Sequence, residues 1–325
     1  MSLLIRIYFN AVFGALGGLL GWLLFGVFGD KNYTKEQLDL EMLRDGALIG
    51  GVIGYFVVSV EAIRDRSLVR FCRLAAYGVV LGALGGAAGM LLGEKVNFKL
   101  IEWLGAVRDV KTLLLSVLVR GLGWMFLGIA VGASEGVAAR SLGKLTYGTI
   151  GGALGGFIGG TLYGLAYLKS VEQSNHSGVW SATGLIILGA CIGSLSALVR
   201  GVFQPASVKV LRGWQEGREY PLDKTDNLLG RDEHADIALF RDMKVEKKHA
   251  IIQREGNRFL LVNNDAPPET TRVNGEPVRH SCALQDGDRI ELGTIILRFQ
   301  ARTAVAALSS SFKNRGLART PNQGS

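Results

Sequence analysis

Two carboxylates stand where a carboxylate is costly. Glu61 and Glu135 each lie at the end of a mostly apolar run, 46–63 and 121–137, and a charge inside hydrocarbon costs about 2.5–3.5 kcal/mol on insertion scales. A side chain kept at that cost is a candidate ion or proton ligand. Both also lie near arginines, Arg64 and Arg66 in one case and Arg140 in the other, so the competing expectation is an ion pair at the inner membrane interface. Other chemistry is sparse. His176, His234, His249 and His280 are scattered, and Cys72, Cys191 and Cys282 show no spacing for zinc or a disulfide framework. Neither a G-x-x-x-x-G-K-[ST] phosphate loop nor G-x-G-x-x-G occurs. These residue types predict no catalytic centre, no metal site and no cofactor.

The elements that must position the two glutamates are six apolar windows, roughly 7–28, 46–63, 74–92, 121–137, 145–167 and 180–199. A helix of about 20 apolar residues spans about 30 Å of hydrocarbon. The spacing therefore predicts an α-helical polytopic membrane bundle of about six helices over residues 1–200. Of 45 glycines, 36 precede residue 206; with six prolines and no glycine at every third position they exclude collagen, and the apolar content excludes disorder there. The octapeptide G-A-L-G-G-x-x-G occurs at Gly14–Gly21, Gly82–Gly89 and Gly152–Gly159, in the first, third and fifth windows. The second and fourth share a Glu followed five residues later by Arg-Ser-Leu, and the sixth keeps only Arg200. The pattern reads as three tandem helical hairpins. Each octapeptide carries two small-x-x-x-small ridges, Gly14/Gly18 and Gly17/Gly21 in the first. Such zipper-like ridges let backbones approach closely where lipid removes the hydrophobic drive for helix association.

Six crossings put both termini on one side. Four Lys/Arg between Glu61 and Arg73 assign that side to the cytoplasm. Tyr8, Tyr77 and Tyr147 are expected in one interfacial ring and Trp103, Trp124 and Trp180 in the other. Residues 201–207, with Pro205, read as a short linker, and 301–325, with Arg302, Lys313, Arg315 and Arg319, as a disordered basic tail. The net charge is +8, yet residues 206–300 carry 15 Lys/Arg against 16 Asp/Glu, so no basic nucleic-acid footprint exists there.

From Val208 the periodicity shortens to alternating runs: Val208–Leu211, Ala250–Gln253, Arg258–Val262, Arg289–Leu292 and Thr294–Phe299. Asn274-Gly275 and Asp286-Gly287 are hairpin signals, and many short strands in about 95 residues predict a β-sandwich. Five matches occur in order: Leu229-Gly230-Arg231, Asp236–Leu239, His249–Ile252, Val273-Asn274-Gly275 and Leu284–Gly293. In these residues the segment 208–300 resembles the forkhead-associated (FHA) domain. The resemblance implies a non-enzymatic two-sheet sandwich whose loops at one end bind phosphothreonine peptides.

The resemblance also implies roles. Arg231 matches the phosphate-contacting arginine, whose guanidinium fork suits a dianion, and Gly230 and His249 match positions that shape the pocket. Lys247 occupies a position often basic in the family. Glu246 stands where the family has serine, and Glu269 where it has asparagine, followed by Thr270 and Thr271; Asn274 completes the implied phosphopeptide-binding set. A unit charge pair at 4 Å is worth about 4 kcal/mol at an effective dielectric of about 20, and phosphothreonine brings about −1.5 to −2 charges. Glu246 near the phosphate would offset much of what Arg231 offers. Two ligands therefore stay open, a phosphothreonine segment or another protein surface. For Arg231 the alternative is an edge arginine paired with Asp232, Asp236 or Glu246.

The resulting expectation is a non-catalytic, multi-pass membrane protein with both termini cytoplasmic, presenting an FHA module for signalling or assembly. Its partners would be the bilayer and a phosphothreonine-containing or other protein. A small transporter or channel regulated by the module, motivated by the repeat and the two glutamates, is the competing function. A third reading makes the bundle a homo-oligomerisation platform in which surplus glycine ridges pair between chains.

Overall fold

The computed structural model describes residues 3–28, 38–65, 68–104, 110–172, 177–256 and 258–301. The basic tail from Arg302 onward and the side chain of Glu61 lie outside the described residues. The chain forms two compact units that divide after Val202, and each is described by itself.

The first unit holds six helices: α1 (Leu3–Phe28), α2 (Leu38–Asp65), α3 (Leu68–Leu104), α4 (Val110–Ala139), α5 (Leu142–Glu172) and α6 (Ser177–Phe203). All run past the apolar windows, because charged flanks continue the helical ladder once they find partners, as Lys95 of α3 does with Asp39 of α2 at 2.6 Å. Among the described residues, five helices are long and apolar enough to cross a membrane. The one that falls short is α5, whose apolar content is diluted by glycine, threonine and tyrosine, rather than either glutamate-bearing helix.

Glycine sets the packing. Gly14 and Gly18 of α1 lie against Gly189 and Leu185 of α6, while Gly17 and Gly21 face Ile53 and Ile49 of α2. On α3, Gly82 and Gly86 meet Gly50 and Gly46 of α2, and Gly85 and Gly89 meet Ala130 and Gly123 of α4. On α5, Gly152 and Gly156 meet Gly128 and Trp124 of α4, and Gly155 and Gly159 meet Cys191 and Leu188 of α6. Every octapeptide thus spends one ridge on each neighbour, and α1 against α6 closes a ring. No octapeptide ridge is left over for pairing between chains. Large side chains of α2, α4 and α6 fill the interior, with Ile53, Leu127, Leu188 and Ile192 fully buried. Trp124 joins them, edge-on to Tyr163 at 5.5 Å between ring centroids. It belongs to the core and not to an interfacial belt, whereas Trp103 is exposed.

The turn between α4 and α5 explains the Arg-Ser-Leu signature. Arg140 has φ 51°, the left-handed conformation that ends helices. The Ser141 N–H donates to the Gly136 carbonyl at 3.0 Å, and its hydroxyl accepts from the Lys144 N–H at 3.3 Å, an N-cap for α5.

The stretch 201–207 is the end of α6, two residues, and the start of a strand. The second unit is a sandwich of β1 (Ala206–Arg212), β2 (Glu219–Pro221), β3 (Asp226–Gly230), β4 (Ile237–Ala238), β5 (Ala250–Glu255), β6 (Arg258–Asn263), β7 (Thr271–Val273), β8 (Glu276–Pro277), β9 (Ser281–Leu284), β10 (Arg289–Leu292) and β11 (Ile295–Ala301). One sheet has the order β2-β1-β11-β10-β7-β8 and the other β4-β3-β5-β6-β9. Alternation aims Ile290, Leu292, Ile295, Leu297 and Phe299 into a common core with Leu229, Ile252 and Leu261. Asn274 and Gly275, at φ 54° and 89°, make the tight β7–β8 hairpin. Asp286-Gly287 does not make a hairpin: β9 and β10 lie in different sheets, so this turn carries the chain across the sandwich, and Gly287 alone of the pair has positive φ.

Candidate functional site

The registers sort the loops between two ends. Ala206 pairs with Ala301, and Arg212 with Ile296, so β1 leaves one end, which also holds Asp286, and reaches the other beside Ile295. Leu229 pairs with Ala250, and Thr271 with Leu292. Gly230-Arg231, the β4–β5 loop, the β6–β7 loop and the Gly293-Thr294 turn therefore gather at the end remote from Ala206.

At that end the backbone of Arg231 and Asp232 donates to the carbonyls of Glu246 (2.9 Å) and Lys247 (3.3 Å). A Cβ at position 230 would overlap the Lys247 carbonyl oxygen, which is why glycine precedes the arginine. Asp242, buried, anchors the β4–β5 loop: it accepts from the Thr294 N–H at 2.6 Å and hydroxyl at 2.7 Å, and from the Lys244 N–H at 2.9 Å. Burial pushes its carboxyl pKa up, but these hydrogen bonds and the Lys244 charge outweigh burial and hold it below the usual range.

Beneath the rim, His249 is fully buried. Its Nδ1 accepts the Glu246 N–H at 3.0 Å, so the proton sits on Nε2, which donates to the Thr271 hydroxyl at 3.0 Å. Asn263 braces the same region, its amide donating to the carbonyls of Ala266 (2.8 Å) and Val278 (3.2 Å). Burial lowers the His249 pKa from its ordinary 6.5. The unfolded chain then binds a proton that the fold refuses, so stability is fully present above pH 6.5 and falls as pH drops towards the folded-state value. The melting temperature of the sandwich is expected to decline between pH 7.5 and 5; an unchanged melt over that interval would contradict a neutral, buried imidazole.

The candidates divide accordingly. Arg231, Glu246, Lys247 and the partly exposed Thr270 reach the rim. Thr271 does not: it is fully buried and bonded to His249. Asn274 lies at the far end of β7, where its amide donates to Asp288 and its carbonyl accepts from the Arg289 N–H, both at 2.9 Å. Sequence matching placed both in the binding set because motif order carries no information about which way a strand runs.

Arg231 is not an edge arginine held by an acid. Asp236 takes Lys224 at 2.6 Å and the Leu228 N–H at 3.0 Å. Asp232 accepts from the His234 N–H at 2.9 Å, and that bond and the His234 ring hold its carboxyl low. Glu246 forms no ion pair with Arg231 among the described residues. Among the described residues the guanidinium has only the Met243 sulfur, 3.3 Å from Nη1, and its Nε is buried without a partner. Met243 and Asp242 were invisible to sequence reasoning, since the contacts that give them meaning span 12 and 52 residues.

In the helical unit Glu135 is buried and paired, but not with Arg140. It meets Arg200 of α6 and Lys144 of α5 at 3.4 Å, joining three helices beside a small cavity lined by Val57, Val131 and Ser196. Gly132–Gly136 has the spacing G-x-S-x-G, yet it is a turn of α4 whose Ser134 hydroxyl donates to the Val131 carbonyl at 2.6 Å, not a nucleophile elbow.

Residues 209–303 match the family model described as the inner membrane component of T3SS, cytoplasmic domain. Solved FHA domains align with the same region. One, from a structural and functional study of phosphothreonine-dependent FHA domain interactions, is 28% identical over 30% of this chain and 97% of that chain, with TM-score 0.27. The FhaA FHA domain, solved with the intracellular domain of Rv3910, is 29% identical over 29% and 99%, with TM-score 0.26. The FHA domain of CT664 from Chlamydia trachomatis is 27% identical over 30% and 98%, with TM-score 0.28. No curated protein matches the chain. The C-terminal region is a two-sheet β-sandwich that matches this family model and is similar to the solved FHA domains. It follows six helices, five of them candidate membrane spans.

Proposed function

We propose that this chain is a non-catalytic, membrane-anchored adaptor whose FHA module captures a phosphothreonine-containing segment of a protein partner at the cytoplasmic surface. The observation that carries the reading is the guanidinium of Arg231, which among the described residues has no carboxylate partner: such a cation at a loop-built rim suits a dianionic phosphate. Lys247 adds charge at that rim. The family description places its members' domain in the cytoplasm, and two of the aligned structures concern FHA domains engaged with phosphothreonine or with a protein partner. Six crossings return both termini to one side; α5 supports this count, since its two glycine ridges lie along α4 and α6 and a helix so placed must share their span. The recurrence of both ridges on α1, α3 and α5 supports the tandem-hairpin reading. The filled interior argues against a transport path among the described residues.

Full-length protein in detergent micelles, presented with a phosphothreonine peptide library and its unphosphorylated copy, tests the reading. Phosphate-dependent binding is expected, lost in Arg231→Ala. Glu246→Ser removes a like charge from the rim and is expected to strengthen binding about tenfold at low salt. Equal binding of both libraries would leave a phosphate-independent protein surface as the ligand.

A further inference from the structure

We infer that Met243 is an oxidation-sensitive cap on the Arg231 site, so that a peroxide converts the module from a ligand-accepting to a self-occupied state. This rests on the reading of Arg231 as the phosphate-binding cation. Three observations meet here. The Met243 sulfur lies 3.3 Å from Arg231 Nη1 and is the guanidinium's sole side-chain partner among the described residues. A thioether is a weak acceptor, so an incoming phosphate displaces it at little cost. The side chain is 78% exposed and is the only methionine after residue 125. Met42, by contrast, is buried, and Met90 and Met125 lie within apolar helices.

The chemistry balances with hydrogen peroxide as oxidant. A sulfur lone pair attacks one peroxide oxygen, the O–O bond breaks, the sulfur loses two electrons, and the departing hydroxide takes the remaining proton as water. The product sulfoxide carries a strongly polar S–O oxygen in place of an apolar sulfur. That oxygen can accept from the same Nη1, competing with phosphate for the guanidinium from within the chain. Methionine sulfoxide reductases reverse the step.

The test treats full-length protein in micelles with hydrogen peroxide, confirms one added oxygen at Met243 by mass spectrometry, and measures affinity for a phosphothreonine peptide that the reduced protein binds. Oxidation is expected to weaken binding about tenfold, the factor a hydrogen bond to a charged group commands. Met243→Leu should bind equally before and after treatment. A second readout needs no ligand: the Arg231 guanidinium resonances in 15N-arginine-labelled protein, assigned by their loss in Arg231→Lys, should shift on oxidation in the wild type and stay fixed in Met243→Leu. Unmoved resonances, or unchanged affinity in oxidised wild type, overturn the cap. Absence of phosphopeptide binding in the reduced protein would instead sink the phosphothreonine reading, with the resonances still deciding whether the sulfoxide claims Arg231.

Discussion

Replacing Arg200 by methionine is expected to weaken the helical unit by about 3 kcal/mol, the lower end of the range for breaking a buried ion pair. The cost arises because Glu135, buried between α4, α5 and α6, would keep its charge and lose its closest partner. Lys144 at 3.4 Å remains and keeps the loss from reaching the upper end. Adding Glu135→Gln to Arg200→Met should recover most of the loss, because the orphaned charge goes with it. Unfolding by a denaturing detergent titrated into mild micelles, followed for wild type, both single variants and the double, measures the coupling. Additive losses would mean that the two side chains do not stabilise the bundle through each other. The same cycle addresses the transporter reading: a pair that acts as a structural clasp loses stability when broken, with no requirement for a proton or ion path.

The second large effect separates a residue that builds the site from one that would use it. Gly230→Ala puts a methyl group where the Lys247 carbonyl oxygen stands. To relieve the overlap, β3 and the β4–β5 loop must part, stretching the hydrogen bonds from Arg231 to Glu246 and from Asp232 to Lys247. A forced backbone shift together with strained buried hydrogen bonds costs about 3 kcal/mol. Both the melting temperature of the sandwich and phosphopeptide binding are therefore expected to fall. Arg231→Ala removes a side chain whose hydrogen-bond partner among the described residues is a thioether, so its melt should stay within about 0.5 kcal/mol of wild type while binding disappears. Measuring melt and binding on both variants distinguishes the roles. An alanine at 230 with the wild-type melt would mean that the loop has room to spare, and would remove the physical reason for glycine there.

Much of this protein was legible in its residues alone. The apolar windows and glycine octapeptides specified helices and the two ridges through which they pack, because both are periodic, local properties of one segment. The shift to alternating runs after Val208 and the Gly230-Arg231 and His249 matches specified the sandwich for the same reason. Tertiary structure decided which partner each group received. It took Glu135 away from the nearby Arg140 and gave it Arg200 of α6, 65 residues on. It moved Trp124 from an expected interfacial ring into the core, and sent Asn274 and Thr271 to supporting places away from the rim. It also left Arg231 without an acid by turning Asp232 and Asp236 towards His234 and Lys224. Charge pairing and burial depend on distances through space between segments far apart in the chain, and a linear pattern holds no record of those distances until the chain has folded.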